Sequence, residues 1–282
     1  MNTFLIINYN DFESTKKLIN NIKDYKILDL ILIVDNNSTD NSYKKLKKYE
    51  NDKIKVINTH NNKGYSYAIN YGAKYVIDNY KKSNLVISNA DVIINDEKDL
   101  KILLKDLDKY DLVGPKINTH GVISRGWILP TPMVDVGLNL IYFHKLIENK
   151  YMTYKDEYYN SDIVNVDVVS GCIFLMKTET LENINYLDDN IFLYYEENIL
   201  STKLNKKNII IDNRVEIIHN HSVSIDKSLN KIKKYKALKK SQYYFEKNYN
   251  HANICELILL VLTNKISLLL YYIIYFIKDI IK

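Results

Sequence analysis

The sequence has 282 residues, 46% hydrophobic and 26% charged, with 7 Gly and 3 Pro. That excludes a disordered, low-complexity or collagen-like chain and allows one large domain or two modest ones. The formal net charge of +5 comes from Asp226 to Lys247, where eight lysines face two acids and the rest of the chain is close to neutral; with Arg only at Arg125 and Arg214, a nucleic-acid reading surface is disfavoured.

In chain order, Met1-Asn2-Thr3 leads straight into an apolar run without the charged opening of a signal peptide. The 2 Cys cannot form a disulfide framework in a chain of this length, so a reduced, cytoplasmic protein is expected. Phe4–Ile7, Leu30–Val34, Lys55–Ile57 and Leu85–Ser88 read as short strands of a parallel sheet buried on both faces. Leu18, Ile19 and Ile22 fall at helical spacing, and Gly64 to Lys82 gives a second helix through Tyr65, Ala68, Ile69, Ala73 and Val76. Asp40 is the expected N-cap of a helix over Asn41–Tyr49. This alternation predicts an α/β sheet with right-handed crossovers, whose ligands bind beyond the C-terminal strand ends. Three polar clusters follow strands on that rim: Asn8-Tyr9-Asn10, Asp35 to Asp40, and Ser88 to Asp91.

After Asp111 the pattern loosens, and Gly114-Pro115, Gly121, Gly126 and Pro130-Thr131-Pro132 read as loops. Asp162–Lys177 is extended with a break at Ser170-Gly171, Thr178–Ile184 and Leu193–Lys206 read as helices, and Ile209–Ile211 and Val215–Ile218 as two short strands. Residues 1–225 are expected to form one domain, and 226–282 a basic, then apolar, helical tail. Within the tail, Ile266 to Ile277 is too short to cross a bilayer, which takes about 20 apolar residues. Starting the span at Ile254 instead puts Thr263, Asn264 and Lys265 in mid-membrane, at a real energetic cost. Attachment to an anionic cytoplasmic leaflet fits this order of helices; packing on the body as a core helix is the alternative.

Asp91 lies just past a strand end, where a carboxylate can hold a hard divalent cation, or simply serve a turn. Glu196-Glu197 can divide the positioning of a hydroxyl from the acceptance of its proton, or favour a helix N-terminus through the dipole. His219 follows a strand and can supply a metal nitrogen or sit solvated.

These residues lie within stretches that resemble glycosyltransferase family 2, of GT-A fold, a Rossmann-like mixed sheet flanked by helices. Four stretches match in order: Phe4-Leu-Ile-Ile-Asn-Tyr-Asn10, Val34 to Asp40, Asn62-Lys63-Gly64-Tyr65 with Asn70-Tyr71-Gly72, and Asn89-Ala90-Asp91. Ser170-Gly171-Cys172 resembles the turn lining the acceptor side, Leu187 to Glu197 the stretch ending in the acid pair, and His219 to Ser224 the closing histidine motif. Arg125 to Pro130, around Trp127, is similar to the rhamnosyltransferase-like subgroup.

The resemblance implies a metal-dependent, inverting transfer of a sugar from a nucleotide-diphosphate donor to a hydroxyl of a glycan or lipid-linked acceptor. Cell-surface polysaccharide synthesis at the inner face of the cell membrane is the implied setting. Asn8, Asp35, Asn37, Asn62, Gly64, Asn70 and Asn89 would serve the nucleotide sugar, and Gly171 and Trp127 the acceptor side. Asp91 and His219 would hold Mn2+ or Mg2+, with His221 the alternative to His219. Glu197 would accept the acceptor's proton while Glu196 orients the hydroxyl. The chain departs from the family in Asn89, where a first carboxylate is usual, in Ile199, where many relatives carry an acid, and in Lys203, where they carry Arg. A dinucleotide-binding oxidoreductase is excluded, because Asn8 to Phe12 has no Gly-x-Gly-x-x-Gly turn. A catalytically silent, membrane-docking module of the same fold remains the rival.

Overall fold

The computed structural model describes residues 1–80, 82–140, 142–220 and 231–280. His221 and Ser224 of the expected histidine motif lie outside the described residues. The four early runs are β1 (Asn2–Asn8), β2 (Leu30–Asp35), β3 (Ile54–Asn58) and β4 (Asn84–Asn89), parallel and side by side in the order β3-β2-β1-β4. Every residue of β2 is buried, because helices cover both faces. Helices α1 (Phe12–Ile22), α2 (Ser42–Leu46) and α4 (Glu97–Asp106) supply Leu18, Ile22, Leu46, Leu100 and Leu103 to the core on one side. On the other side, α3 (Tyr65–Tyr80) supplies Ala68, Ile69, Ala73 and Val76. Asp40 is not the N-cap of α2: Asn41 takes that place in a left-handed conformation, and Asp40 accepts the Ser42 N–H at 2.9 Å.

The sheet continues with β5 (Val92–Ile93), β6 (Leu112–Thr119), β7 (Val122–Ser124), β8 (Ile163–Asn165), β9 (Ile173–Lys177) and β10 (Ile209–His219). It is mixed, since β9 runs antiparallel to both β4 and β6. Gly114-Pro115, expected as a loop, lies inside β6. Proline removes a donor from the ladder, and the pairing of β10 with β6 is irregular at that point: Asp212 faces Pro115, and Glu216 faces the next residue, Lys116. The same irregularity explains why β10 reads in sequence as two strands.

Pro130-Thr131-Pro132 is likewise not only loop. Thr131 caps α5 (Pro132–Leu138) by accepting the Val134 N–H, and Pro132 fits the first helical turn because the N–H it lacks has no partner there. The chain continues through α6 (His144–Tyr151), α7 (Thr178–Asn183) and α8 (Glu196–Lys203). The last begins later than the apolar pattern suggests, because Tyr194 and Tyr195 hold φ of 71° and 69°. Two consecutive aromatic residues in this region store strain just before the acid pair.

In the tail, a basic helix (Lys231–Asn248) precedes an apolar one (Ile254–Ile280). The basic helix inserts Phe245, fully buried, among Leu129, Val168, Ile191 and Ile199. Truncating it leaves a cavity that surrounding backbone cannot fill. Phe245→Ala is therefore expected to cost about 3–5 kcal/mol in urea unfolding; a loss below about 1 kcal/mol would show that this seat contributes little.

Candidate active site

The parallel register builds the rim. Asn8 lies level with Asp35, Asp35 with Asn58, and Ile7 with Asn89. Asp35 is fully buried, and a buried carboxylate must be satisfied. It accepts hydrogen bonds from Asn8 Nδ2 at 2.7 Å, Asn58 Nδ2 at 2.8 Å and the Ser38 N–H at 2.9 Å. Asn8 also accepts the Thr15 hydroxyl at 2.8 Å. Asn8 and Asn58 therefore fix Asp35 rather than reach outward. Sequence reading missed Asn58, although it closes its strand at the level of Asp35. Asn37 is exposed at the tip of the turn with φ 61°.

Asn62 accepts the Gly64 N–H at 3.2 Å and the Asn36 amide at 3.0 Å. Gly64 has φ 114°, and a Cβ there would fall 2.4 Å from the Phe192 carbonyl oxygen. Only glycine lets this loop pass against residue 192, and the Tyr65 N–H seals the crossing by donating to that carbonyl at 3.3 Å. Asn70 faces away from the rim. Its amide donates to the Leu187 carbonyl at 2.8 Å and accepts the Leu187 N–H at 3.0 Å, so it holds the later chain in place and is not positioned to contact a nucleotide.

A cleft of about 530 Å³ opens beside this rim, lined by Asn89, Asp91, Trp127, Gly171, Glu196, Glu197 and His219. The short β5 brings two of them together. His219 lies level with Val92, the Asn220 N–H donates to the Asp91 carbonyl at 2.9 Å, and His219 Nε2 stands 3.2 Å from Asp91 Oδ1. Among the described residues no group of three His, Cys, Asp or Glu side chains converges on one point. A carboxylate oxygen beside an imidazole nitrogen still fits a Mn2+ or Mg2+ ion that takes its remaining ligands from phosphate and water.

Opposite the same cleft sits the acid pair. A Cβ on Gly171 would fall 2.2 Å from Glu197 Oε1, so the missing side chain is the seat of the Glu197 carboxylate. Burial pushes the Glu197 carboxyl up, and hydrogen bonds from its own backbone and that of Gly171 oppose this. The Tyr65 hydroxyl fastens the seat by donating to the Gly171 carbonyl at 3.0 Å. Glu196 is more hidden, with Oε1 buried and unpartnered. Burial first, and the Glu197 charge second, push it up to about 8, so it carries a proton at neutral pH. Both acids of the pair are raised by burial and both accept backbone hydrogen bonds; Glu196 is the one left with an oxygen without a partner. Trp127 Nε1 donates to Asn198 Oδ1 at 3.1 Å, which pins the indole to α8.

Three further residues escaped sequence reading. Tyr195, which caps α8, donates to Asp135 Oδ2 at 2.8 Å. Asp135 is fully buried on α5 and hydrogen-bonds Glu246 of the basic helix, also fully buried. Burial first, then Asp135, push Glu246 up to about 9, so this second pair shares a proton. Their separation by more than 100 residues in sequence left no local pattern to find.

Residues 3–184 match the profile of glycosyl transferase family 2. The chain belongs to this family. It is a glycosyltransferase of GT-A fold. It is 26% identical over 228 residues to the low-salt glycan biosynthesis hexosyltransferase Agl10 of Haloferax volcanii, covering 78% of this chain and 67% of that protein. Among solved structures, GalNAc-T7 with UDP, GalNAc and Mn2+ has a TM-score of 0.63 at 12% identity, over 88% of this chain and 47% of that one. This chain thus spans about half the length of that relative. The mannosyltransferase PcManGT from Pyrobaculum calidifontis, in complex with GDP-Man and Mn2+, has a TM-score of 0.55 at 15% identity, over 94% and 71%.

The buried acid sets a pH dependence. An unfolded glutamate releases its proton near 4.5, whereas folded Glu196 keeps it to about 8. Between those values the unfolded state binds fewer protons, so this residue lowers stability as pH rises. Relative to wild type, Glu196→Gln should gain in thermal midpoint from pH 5 to pH 8. A difference that stays constant or shrinks over that window contradicts the assignment.

Proposed function

We propose that the chain transfers a hexose, with inversion, from a nucleotide-diphosphate sugar to a hydroxyl of a glycan or lipid-linked acceptor. It would act in cell-surface polysaccharide synthesis as a peripheral protein on the inner face of the cell membrane. One observation carries this reading: Glu197 and the Asp91–His219 pair line a single cleft at the strand rim. A relative named for glycan biosynthesis and neighbours crystallised with GDP-Man or with UDP and GalNAc support the donor and acceptor classes.

In the proposed reaction the nucleoside lies along the Asp35 to Gly64 side of the rim. Asp91 and His219 would hold Mn2+ or Mg2+, which when bound neutralises the charge of the diphosphate as it leaves. Glu197 takes the proton of the acceptor hydroxyl as that oxygen attacks the anomeric carbon from the face opposite the diphosphate. Glu196, protonated, donates a hydrogen bond that orients the hydroxyl. Trp127 offers an apolar wall on the acceptor side. Asn89 brings no charge to the rim, which leaves Asp91 the carboxylate for the cation.

Ile199, where a silent module would show a lost acid, is buried against Phe245 and serves packing. Asp91, Glu196, Glu197 and His219, which line one cleft, support an active enzyme over the rival.

A screen of nucleotide sugars with Mn2+ should find a donor that stabilises the protein thermally. With that donor, Glu197→Gln should lower transfer by about 10²–10⁴-fold while stabilisation by the donor persists. Transfer within a few-fold of wild type would remove Glu197 from the role. Asp91→Asn should abolish the part of donor stabilisation that depends on Mn2+, and retention of that part would place the cation elsewhere.

A further inference from the structure

The tail helices pack with an amphipathic sense opposite to that of a core helix. Leu260 and Ser267 of the apolar helix are buried against the protein. Thr263 accepts the Asn139 amide at 2.9 Å, and the Ser267 hydroxyl bonds that of Tyr235. Thr263 and Ser267 therefore face the body, while Lys265 is exposed. The opposite stripe of Ile258, Leu262, Ile266, Leu269 and Ile273 is 44–61% exposed. The helix's stretch Ile254–Ile274, 21 residues of mean hydropathy 2.1, is long enough to span. Its bonds to α5 and to the basic helix instead hold it lengthwise on the protein, so the stripe is presented in one plane.

Between the two helices runs a groove of about 310 Å³. Lys236, Lys239 and Lys240 enter it from one helix and Lys265 from the other, with Tyr235 and Tyr243 alongside. No carboxylate lines it among the described residues. Lys239 donates to the neutral oxygens of Asn139 and Gln242, and Lys236 lies 5.7 Å from the Tyr272 ring centre. Among the described residues, none of the four lysines has an acidic partner within 4.0 Å. Lysines from both helices edge the groove with no carboxylate among its described lining residues, which favours an anion with several oxygens. Lys265 directly precedes Ile266 of the exposed stripe, so the cationic groove and the apolar face share an edge.

We propose that this groove binds the phosphate headgroup of an anionic membrane lipid while the stripe rests in the acyl boundary of the bilayer. The shared edge favours a lipid over a soluble phosphate, because a lipid places charge and hydrocarbon side by side. The proposal rests on the peripheral reading above and adds the site and the ligand class. It also gives the protein an orientation, since α5 links the apolar helix to Tyr195 and the acid pair.

The test uses the full chain and co-sedimentation with vesicles of phosphatidylcholine alone or with phosphatidylglycerol. Wild type should prefer the anionic vesicles. The exposed triple variant Lys236→Gln/Lys240→Gln/Lys265→Gln should bind them roughly a hundredfold more weakly, at about fivefold per lysine near the surface. A control variant, Lys44→Gln/Lys48→Gln/Lys98→Gln, changes three exposed lysines of the body and should bind as wild type. Equal loss in both variants would mean that net charge alone acts, and would overturn the site. Release by inorganic phosphate as effective as that by phosphatidylglycerol-containing competitor vesicles would overturn the lipid assignment. Unchanged binding of the triple variant to anionic vesicles would overturn the groove as the site. Donor stabilisation with Mn2+ should persist in the triple variant, so failure of the groove can be told from failure of the enzymatic reading.

Discussion

Glu197 occupies the space where residue 171 has no side chain, and the rest of the site is arranged around that contact. The glycine belongs to the turn that leads into β9, whereas Glu197 lies in the first turn of α8. Their approach joins the central sheet to the helix carrying the acid pair. It also sets the electrostatics: backbone hydrogen bonds offset part of the burial cost for each acid, while Glu196 keeps one oxygen without a partner and is pushed up to about 8. A carboxylate seated by backbone donors is held in geometry as well as in charge, which a proton acceptor requires. Asp91 and His219 reach the same cleft by an independent route, the antiparallel pairing of β5 with the end of β10.

Much of this was legible in the sequence, and the reasons are specific. The strands β1, β2, β3 and β4 are continuous apolar runs because both faces of the sheet are covered. The rule that ligands gather at parallel strand ends then placed Asp35 and Asp91 on one rim. Gly64 and Gly171 were visible as motif glycines, but the reason for each is a backbone or side-chain approach from residues 192 and 197, which sequence spacing does not contain. Asn70 shows the opposite error. It belongs to the same motif as Gly64, yet its amide is fully engaged by Leu187, so a motif residue can support the site from behind. Pro115 was misread because proline in a strand needs an irregular partner, and that partner lies in β10, nearly a hundred residues later.

The tail illustrates how far composition can mislead about role. An apolar stretch of this length passes for a membrane span or a core helix, and its inner polar residues count against the first. The structure turns Thr263 and Ser267 toward α5 and the basic helix, leaving a stripe of apolar residues from Ile258 to Ile273 outward. The basic helix in turn anchors Phe245 in the body and presents Glu246 to Asp135, which holds Tyr195 at the start of α8. The tail is thereby mechanically continuous with the acid pair, and the proposed membrane contact and the proposed chemistry lie on one connected path.

The claim at the centre is that the glycine at 171 exists to seat the Glu197 carboxylate. Turnover of Gly171→Ala tests it most directly, with donor binding measured alongside. The added methyl would overlap the carboxylate oxygen, so turnover should fall by about a hundredfold or more while donor binding holds, and shortening the acid in Gly171→Ala/Glu197→Asp should restore part of the loss. Turnover of Gly171→Ala close to wild type would contradict the account.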